Sequence, residues 1–198
     1  MKIFRLSRTL TLLCSVALLS IAAVAPAPAC VGKTLHIASA GSIQQDILAN
    51  ALATLISERT GTSVKVDRFA DARAAHDALG KADLDIVVAY TGQARSEILK
   101  KPAIAESAAL YEAVRDEYNQ DLNLVWLAPF GFSDGKLGQA APVARKDTLK
   151  KFPALARLIN KLGNAITEAT MARLEAQVKS GKPAAEVARA FLKESKLI

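Results

Sequence analysis

Cysteine and histidine are scarce in this sequence, with two of each, and tryptophan occurs once. Cys14 falls inside an apolar leader and Cys30 just behind it, so the chain beyond the leader holds one thiol and cannot close an internal disulfide. Zinc-type spacings of cysteine or of His and Glu are absent, as are a nucleophile elbow and a glycine-rich phosphate loop ending in Lys-Ser/Thr. His36 alternates with Leu35 and Ile37 in a strand-like run, and His76 lies in the middle of a helical pattern. Both fit structural or surface roles better than catalytic ones. Asp83-Leu84-Asp85 places two carboxylates on one side of a strand beside a turn, where capping or solvation is the expected role. An enzyme is therefore not expected, nor a metal or cofactor.

Aromatic residues make up 5% of the chain and do not interleave with basic ones, so a nucleic-acid surface is not expected either. The formal net charge is +7. Setting aside Lys2, Arg5 and Arg8 leaves 23 basic against 19 acidic residues, about +4. The basic residues are spread along helical stretches (Lys100-Lys101, Lys150-Lys151, Arg157, Lys161) and alternate with acids, as on a solvated face. Repeats, low-complexity tracts and long linkers are missing, which favours one compact domain.

Lys2, Arg5 and Arg8 precede a nearly uncharged run from Leu10 to Val24, followed by Ala25-Pro26-Ala27-Pro28-Ala29. This is the layout of a secretory signal peptide over residues 1–29, with cleavage after Ala29, because cleavage after Ala25 or Ala27 would leave proline on the far side. The run is short for a membrane span. Cys30 would begin the mature chain. Ala27-Pro28-Ala29-Cys30 lacks the usual leucine of a lipoprotein signal, so a soluble periplasmic protein is expected ahead of a lipid-anchored one.

The mature chain starts with strand-like Lys33–Ser39, then apolar residues at helical spacing from Ile43 to Ile56, stopped by Thr60-Gly61. Ser63–Arg68 alternates as a strand. Asp71 is a candidate N-cap for a short helix ending at Gly80. Leu84 to Tyr90 is an apolar run that a sheet would bury on both faces, and Tyr90-Thr91-Gly92 would stand at its carboxyl end, where α/β proteins meet their ligands. The order strand, helix, strand, helix, strand predicts parallel crossovers. Further helices are predicted over 93–100 and 106–120, strands over 122–128 and 140–145, and a loop over 129–139. From Asp147 onward the pattern is helical, with Pro153 and Pro183 suited to first turns and Gly163 and Gly181 to ends.

Several stretches in this order resemble the substrate-binding subunits of ABC importers for glycine betaine, choline and related osmoprotectants. They are Ser39 with Gln45-Asp46-Ile47-Leu48, then Ala75-His76-Asp77-Ala78-Leu79, Asp83-Leu84-Asp85-Ile86 and Tyr90-Thr91-Gly92. Leu124-Val125-Trp126-Leu127-Ala128-Pro129 follows, with Ala141 to Leu149 and Ala184 to Lys193 closing the series. Each is weak alone, but together they run over nearly all of the mature chain. The resemblance implies an α/β fold: a single lobe of a type II periplasmic binding protein, with a mostly parallel sheet flanked by helices and a helical C-terminal segment. It covers residues 30–198 as one lobe, built from the family's first (30–129) and last (140–198) segments. The short loop 130–139 stands where the family inserts a second lobe of roughly 100 residues.

By the same resemblance, Ser39, Gln45, Tyr90 and Thr91 are the candidate ligand-binding residues, with a small quaternary-ammonium or similar solute and an ABC permease subunit as partners. The site departs from the family. Ala70-Asp71-Ala72 stands where Gly-Gly-Thr is usual, and Asp46 where an aromatic residue often follows the glutamine. An aromatic cage for a quaternary ammonium would be at most half built. Trp126 is expected in the core, whereas Phe130 and Phe132 fit either a capped cleft face or a packed loop. The readings carried forward are a solute-binding protein, acting alone or as a homodimer that rebuilds a cleft, and an accessory protein that docks on a partner without carrying solute. A deletion remnant that folds but does little is the blandest of them.

Overall fold

β1 (Leu35–Ser39) and β3 (Ile86–Tyr90) carry apolar side chains on both faces, which places them at the centre of a sheet rather than at its edge. The computed structural model describes residues 33–135 and 137–198. The leader, its cleavage point and Cys30 lie outside the described residues. β2 (Val64–Arg68) alternates, is only partly buried, and forms an edge. With β4 (Leu124–Trp126), β5 (Ser133–Asp134) and β6 (Gly138–Arg145), the order is β2-β1-β3-β6-β4, and β5 pairs with β6 alone. β1 is parallel to β2 and β3. β6 runs antiparallel to both β3 and β4.

The expectation of parallel crossovers therefore holds for the first three strands and stops at β6. A parallel return needs a crossover of a dozen or more residues, usually helical. The connection from β4 to β6 is shorter than that, and β5 within it pairs antiparallel with β6 as a hairpin, so the chain comes back antiparallel.

Helices cover both faces. On one lie α1 (Ile43–Thr60), α6 (Leu155–Gly163), α7 (Glu168–Lys179) and α8 (Ala184–Glu194), packing Ile47, Leu52, Leu55, Ile159, Leu174 and Leu192 against Leu35, Ile37, Ile86 and Val88. On the other, α2 (Ala72–Gly80) and α4 (Ser107–Asp121) bury Leu79, Val114 and Tyr118 against Val87, Trp126 and Val143. The helix starts follow capping chemistry. The Ser42 hydroxyl accepts from the Gln45 N–H, Asp71 from the Ala74 N–H, and Glu106 from the Ala108 and Ala109 N–H groups. Gly61, at φ 69°, closes α1 in the left-handed region. α3 begins directly at Thr91, two residues earlier than the spacing predicts, and runs to Ile98 with a π-helical turn over Ala94–Ile98. α5 (Lys146–Lys151) is one short helix beyond β6.

Trp126 is buried, as expected, and packs edge-on to Tyr111 and Tyr118. Phe130 and Phe132 are buried and stacked on each other, so they pack the loop rather than cap a cleft. Asp85 overturns its sequence reading. It is 3% exposed and accepts from the His36 N–H at 3.0 Å and the Thr148 hydroxyl at 2.7 Å, with the Lys33 ammonium 3.5 Å away. It ties β1, β3 and α5 together, and neither caps a turn nor faces solvent.

Candidate functional site

α1, α2 and α3 each start just beyond the carboxyl end of the strand before them, so three helix N-termini face one end of the sheet. Such N-termini offer unpaired N–H groups and a partial positive charge. A cleft of about 500 Å³ opens there. Its walls are the β1–α1 turn (Ala40 to Gln45), Ala70 to Ala72, Tyr90 and Gln93; Asp134 and Leu137 of the β5–β6 hairpin and Glu175 of α7 close its far side.

The four residues expected at the site divide. Tyr90 and Gln45 line the cleft. The Tyr90 ring is 2% exposed, and its hydroxyl donates to the Gln44 side-chain oxygen at 2.6 Å. Gln45 donates from its side-chain amide to the Val88 carbonyl at 3.3 Å, fastening α1 to β3. Ser39 and Thr91 do not line it. Ser39 is buried behind the wall, where its hydroxyl donates to Asp46. The Thr91 hydroxyl accepts from the Gln139 N–H at 3.0 Å and so pins β6 to the start of α3.

Three lining residues were not singled out as ligand groups from sequence: Gln44, Asp134 and Glu175. Gln44 is the junction of a chain of hydrogen bonds. It accepts from Tyr90 and donates to Glu175 at 2.7 Å, and Glu175 accepts from Lys179 at 2.8 Å. A glutamine in the first turn of a helix reads as a solvated position, and Glu175 lies 131 residues away. No local signal joins them. The Lys179 ammonium holds the Glu175 carboxyl below its usual range, with the Gln44 amide adding to the effect. The Tyr90 phenol is pushed well above its ordinary value, mainly by burial and then by Asp134, with Glu175 adding a smaller effect.

The hairpin has a second role at this end of the sheet. The Leu137 carbonyl accepts from both the Gly92 and Gln93 N–H groups, at 2.9 and 3.2 Å, and so satisfies the N-terminus of α3. Gly138 makes the approach achievable. Its φ is +87°, and a Cβ there would stand 2.6 Å from the Thr91 hydroxyl oxygen and 2.8 Å from the Gly92 nitrogen.

The histidines lie away from the cleft walls. His36 pairs with Asp67 at 2.5 Å, and His76 packs edge-on to Tyr118. Among the described residues no cluster of His, Cys, Asp or Glu has the arrangement of a metal site, and no helix is long and apolar enough to cross a membrane.

A family model described as the substrate binding domain of ABC-type glycine betaine transport systems (OpuAC) matches the chain over residues 33–137 and 131–194. No curated protein matches. Among solved structures, a glycine betaine/carnitine/choline ABC transporter protein is similar at 17% identity and a TM-score of 0.77, covering 83% of this chain and 98% of that one. The apo form of YehZ from Escherichia coli is similar at 13% identity and a TM-score of 0.77, over 84% of this chain and 100% of that one. Lactococcal OpuAC, in its closed form with glycine betaine, gives 14% identity and a TM-score of 0.50, over 83% and 97%. At such identities these structures speak for the fold alone.

Proposed function

We propose a function that starts from membership: the chain belongs to the OpuAC family, the substrate-binding domains of ABC-type glycine betaine transport systems. On this reading it is an exported, periplasmic solute-binding lobe of an importer for glycine betaine or a related osmoprotectant, delivering to an ABC permease subunit. The supporting observation is the cleft at the carboxyl ends of β1 and β3, with Tyr90 and Gln45 on its walls. Doubly wound sheets bind their ligands at this position. The leader over residues 1–29 supports export, and the ten-residue connection 130–139, in place of a second lobe, supports a one-lobed architecture.

Tyr90 is the one aromatic residue on the described cleft walls, and its ring face is covered. Affinity through cation–π contact is therefore small, and millimolar binding is the expected regime. Calorimetric titration of the purified protein with glycine betaine and with choline tests this. Saturable heat at millimolar ligand, weakened by Tyr90→Phe through loss of the Gln44 bond, is the expected result.

One observation favours a second reading. The N–H groups at the start of α3 already have a partner in the Leu137 carbonyl, and α2 is capped by Asp71. A lobe in which two of the three helix starts are engaged by the chain's own oxygens suits an accessory protein that docks without carrying solute. No saturable heat with either ligand would select it. A second copy covering the cleft would find no large exposed apolar residue there to bury: among the described residues Leu122 is so exposed, and it lies at the opposite end of the sheet.

A further inference from the structure

We infer that the cleft selects a small cation without a carboxylate, a choline-like ammonium, over a zwitterion such as glycine betaine. The inference rests on the solute-binding reading and goes further by stating the charge class of the ligand. A zwitterion must place its carboxylate somewhere, and in a fold of this kind the helix N-termini are the natural receivers. Here the chain's own oxygens hold two of the three starts. Asp71 brings a full negative charge to α2 through its bond to the Ala74 N–H at 2.8 Å. The Leu137 carbonyl takes both the Gly92 and Gln93 N–H groups of α3. At α1 the Ser42 hydroxyl takes the Gln45 N–H, which narrows the third.

The charged side chains on the described walls are all acidic: Asp71, Asp134 and Glu175. Among the described residues, Lys179 is drawn into a pair with Glu175 at 2.8 Å and Arg68 with Asp46 at 3.8 Å. Tyr90 registers the resulting field, since both Asp134 and Glu175 oppose ionisation of its phenol. A cation entering the cleft gains from this field, whereas a carboxylate attached to it loses a comparable amount. Each carboxylate within about 5 Å changes affinity by a few-fold to about tenfold at the dielectric of a partly open site.

The experiment is a pair of calorimetric titrations of the purified protein, one with choline chloride and one with glycine betaine, repeated on Asp134→Asn and Glu175→Gln. The expected result is choline tighter by at least about tenfold, with each substitution reducing that ratio several-fold. Raising salt from about 50 mM to about 500 mM should weaken choline more than betaine. Circular dichroism checks that the variants stay folded, and the salt series needs no variant at all. Glycine betaine binding as tightly as choline would overturn the charge selection and leave the solute-binding reading standing. Silence with both ligands would overturn the two together.

Discussion

The two ends of the sheet hold carboxylates in opposite circumstances. At the amino-terminal end of β3, Asp85 is buried and surrounded by donors, namely the His36 N–H, the Thr148 hydroxyl and the Lys33 ammonium. At the carboxyl-terminal end, Asp71, Asp134 and Glu175 border an open cleft. A buried carboxylate must be matched by donors, because desolvation would otherwise outweigh any gain. A carboxylate on a partly solvated wall can keep a donor, as Asp71 does with the Ala74 N–H and Glu175 with Lys179, and still present charge to an incoming group. The same chemical group is thus a fastening at one pole and a selectivity element at the other. Substitutions at the two poles should separate stability from binding.

The largest expected effect is at the fastening. Asp85→Ala would leave the His36 N–H and the Thr148 hydroxyl without their acceptor and Lys33 without its partner. The expected cost is about 3 kcal/mol, read from the urea midpoint at constant m-value. Ligand binding by the folded fraction should be unchanged. An unchanged midpoint would mean that the pole is not held by this group.

Next comes the hairpin that links the cleft to α3. Gly138→Ala combines a φ of +87° with a Cβ 2.6 Å from the Thr91 hydroxyl oxygen, so the hairpin must move. A loss of about 2 kcal/mol is expected. This variant also sharpens the comparison, because freeing the Gly92 and Gln93 N–H groups should improve glycine betaine binding relative to choline. Asp71→Ala should cost less, about 1 kcal/mol for a lost N-cap, and should move selectivity in the same direction by removing a negative charge from the wall.

The unequal legibility of the two poles has a physical basis. Strand periodicity, the Asp71 cap and the Gly61 stop act within a few residues, so β1 to β3 and α1 to α2 could be read from the chain alone. The antiparallel return of β6 could not, because it depends on how Leu137 and Gly138 meet Gly92, a contact between segments some 45 residues apart. At the site, Tyr90 was reached through its place at a strand end, and Gln45 through the resemblance to the importer subunits. Gln44, Asp134 and Glu175 come from three distant segments, and each alone looks like an ordinary solvated residue. Asp85 was misread for the same reason: its burial is supplied by His36, Lys33 and Thr148, none of them local to it.

The smallest effect concerns the second face of the sheet and takes the form of a pH dependence. His76 sits beside Tyr118, and neither its Nε2 nor the Tyr118 hydroxyl has a hydrogen-bond partner among the described residues. Burial lowers the His76 pKa from its ordinary 6.5, with Arg73 adding slightly and Asp77 opposing. The unfolded chain therefore binds the proton at a higher pH than the folded one. Stability is full above the unfolded value and falls as pH drops from about 6.5 through the lower folded value. Carboxylates held low in the folded state, such as Asp67, Asp147 and Glu175, lose their own contribution only further down, below about pH 4.5. Between about pH 6.5 and 4.5 the His76 contribution is the part of the slope that replacing this side chain should remove. Urea midpoints measured across that window should decline for the wild-type chain and flatten in His76→Gln, whose side chain cannot take up the proton. An equal decline in both proteins would assign the slope to other groups and separate this face of the sheet from any response to pH.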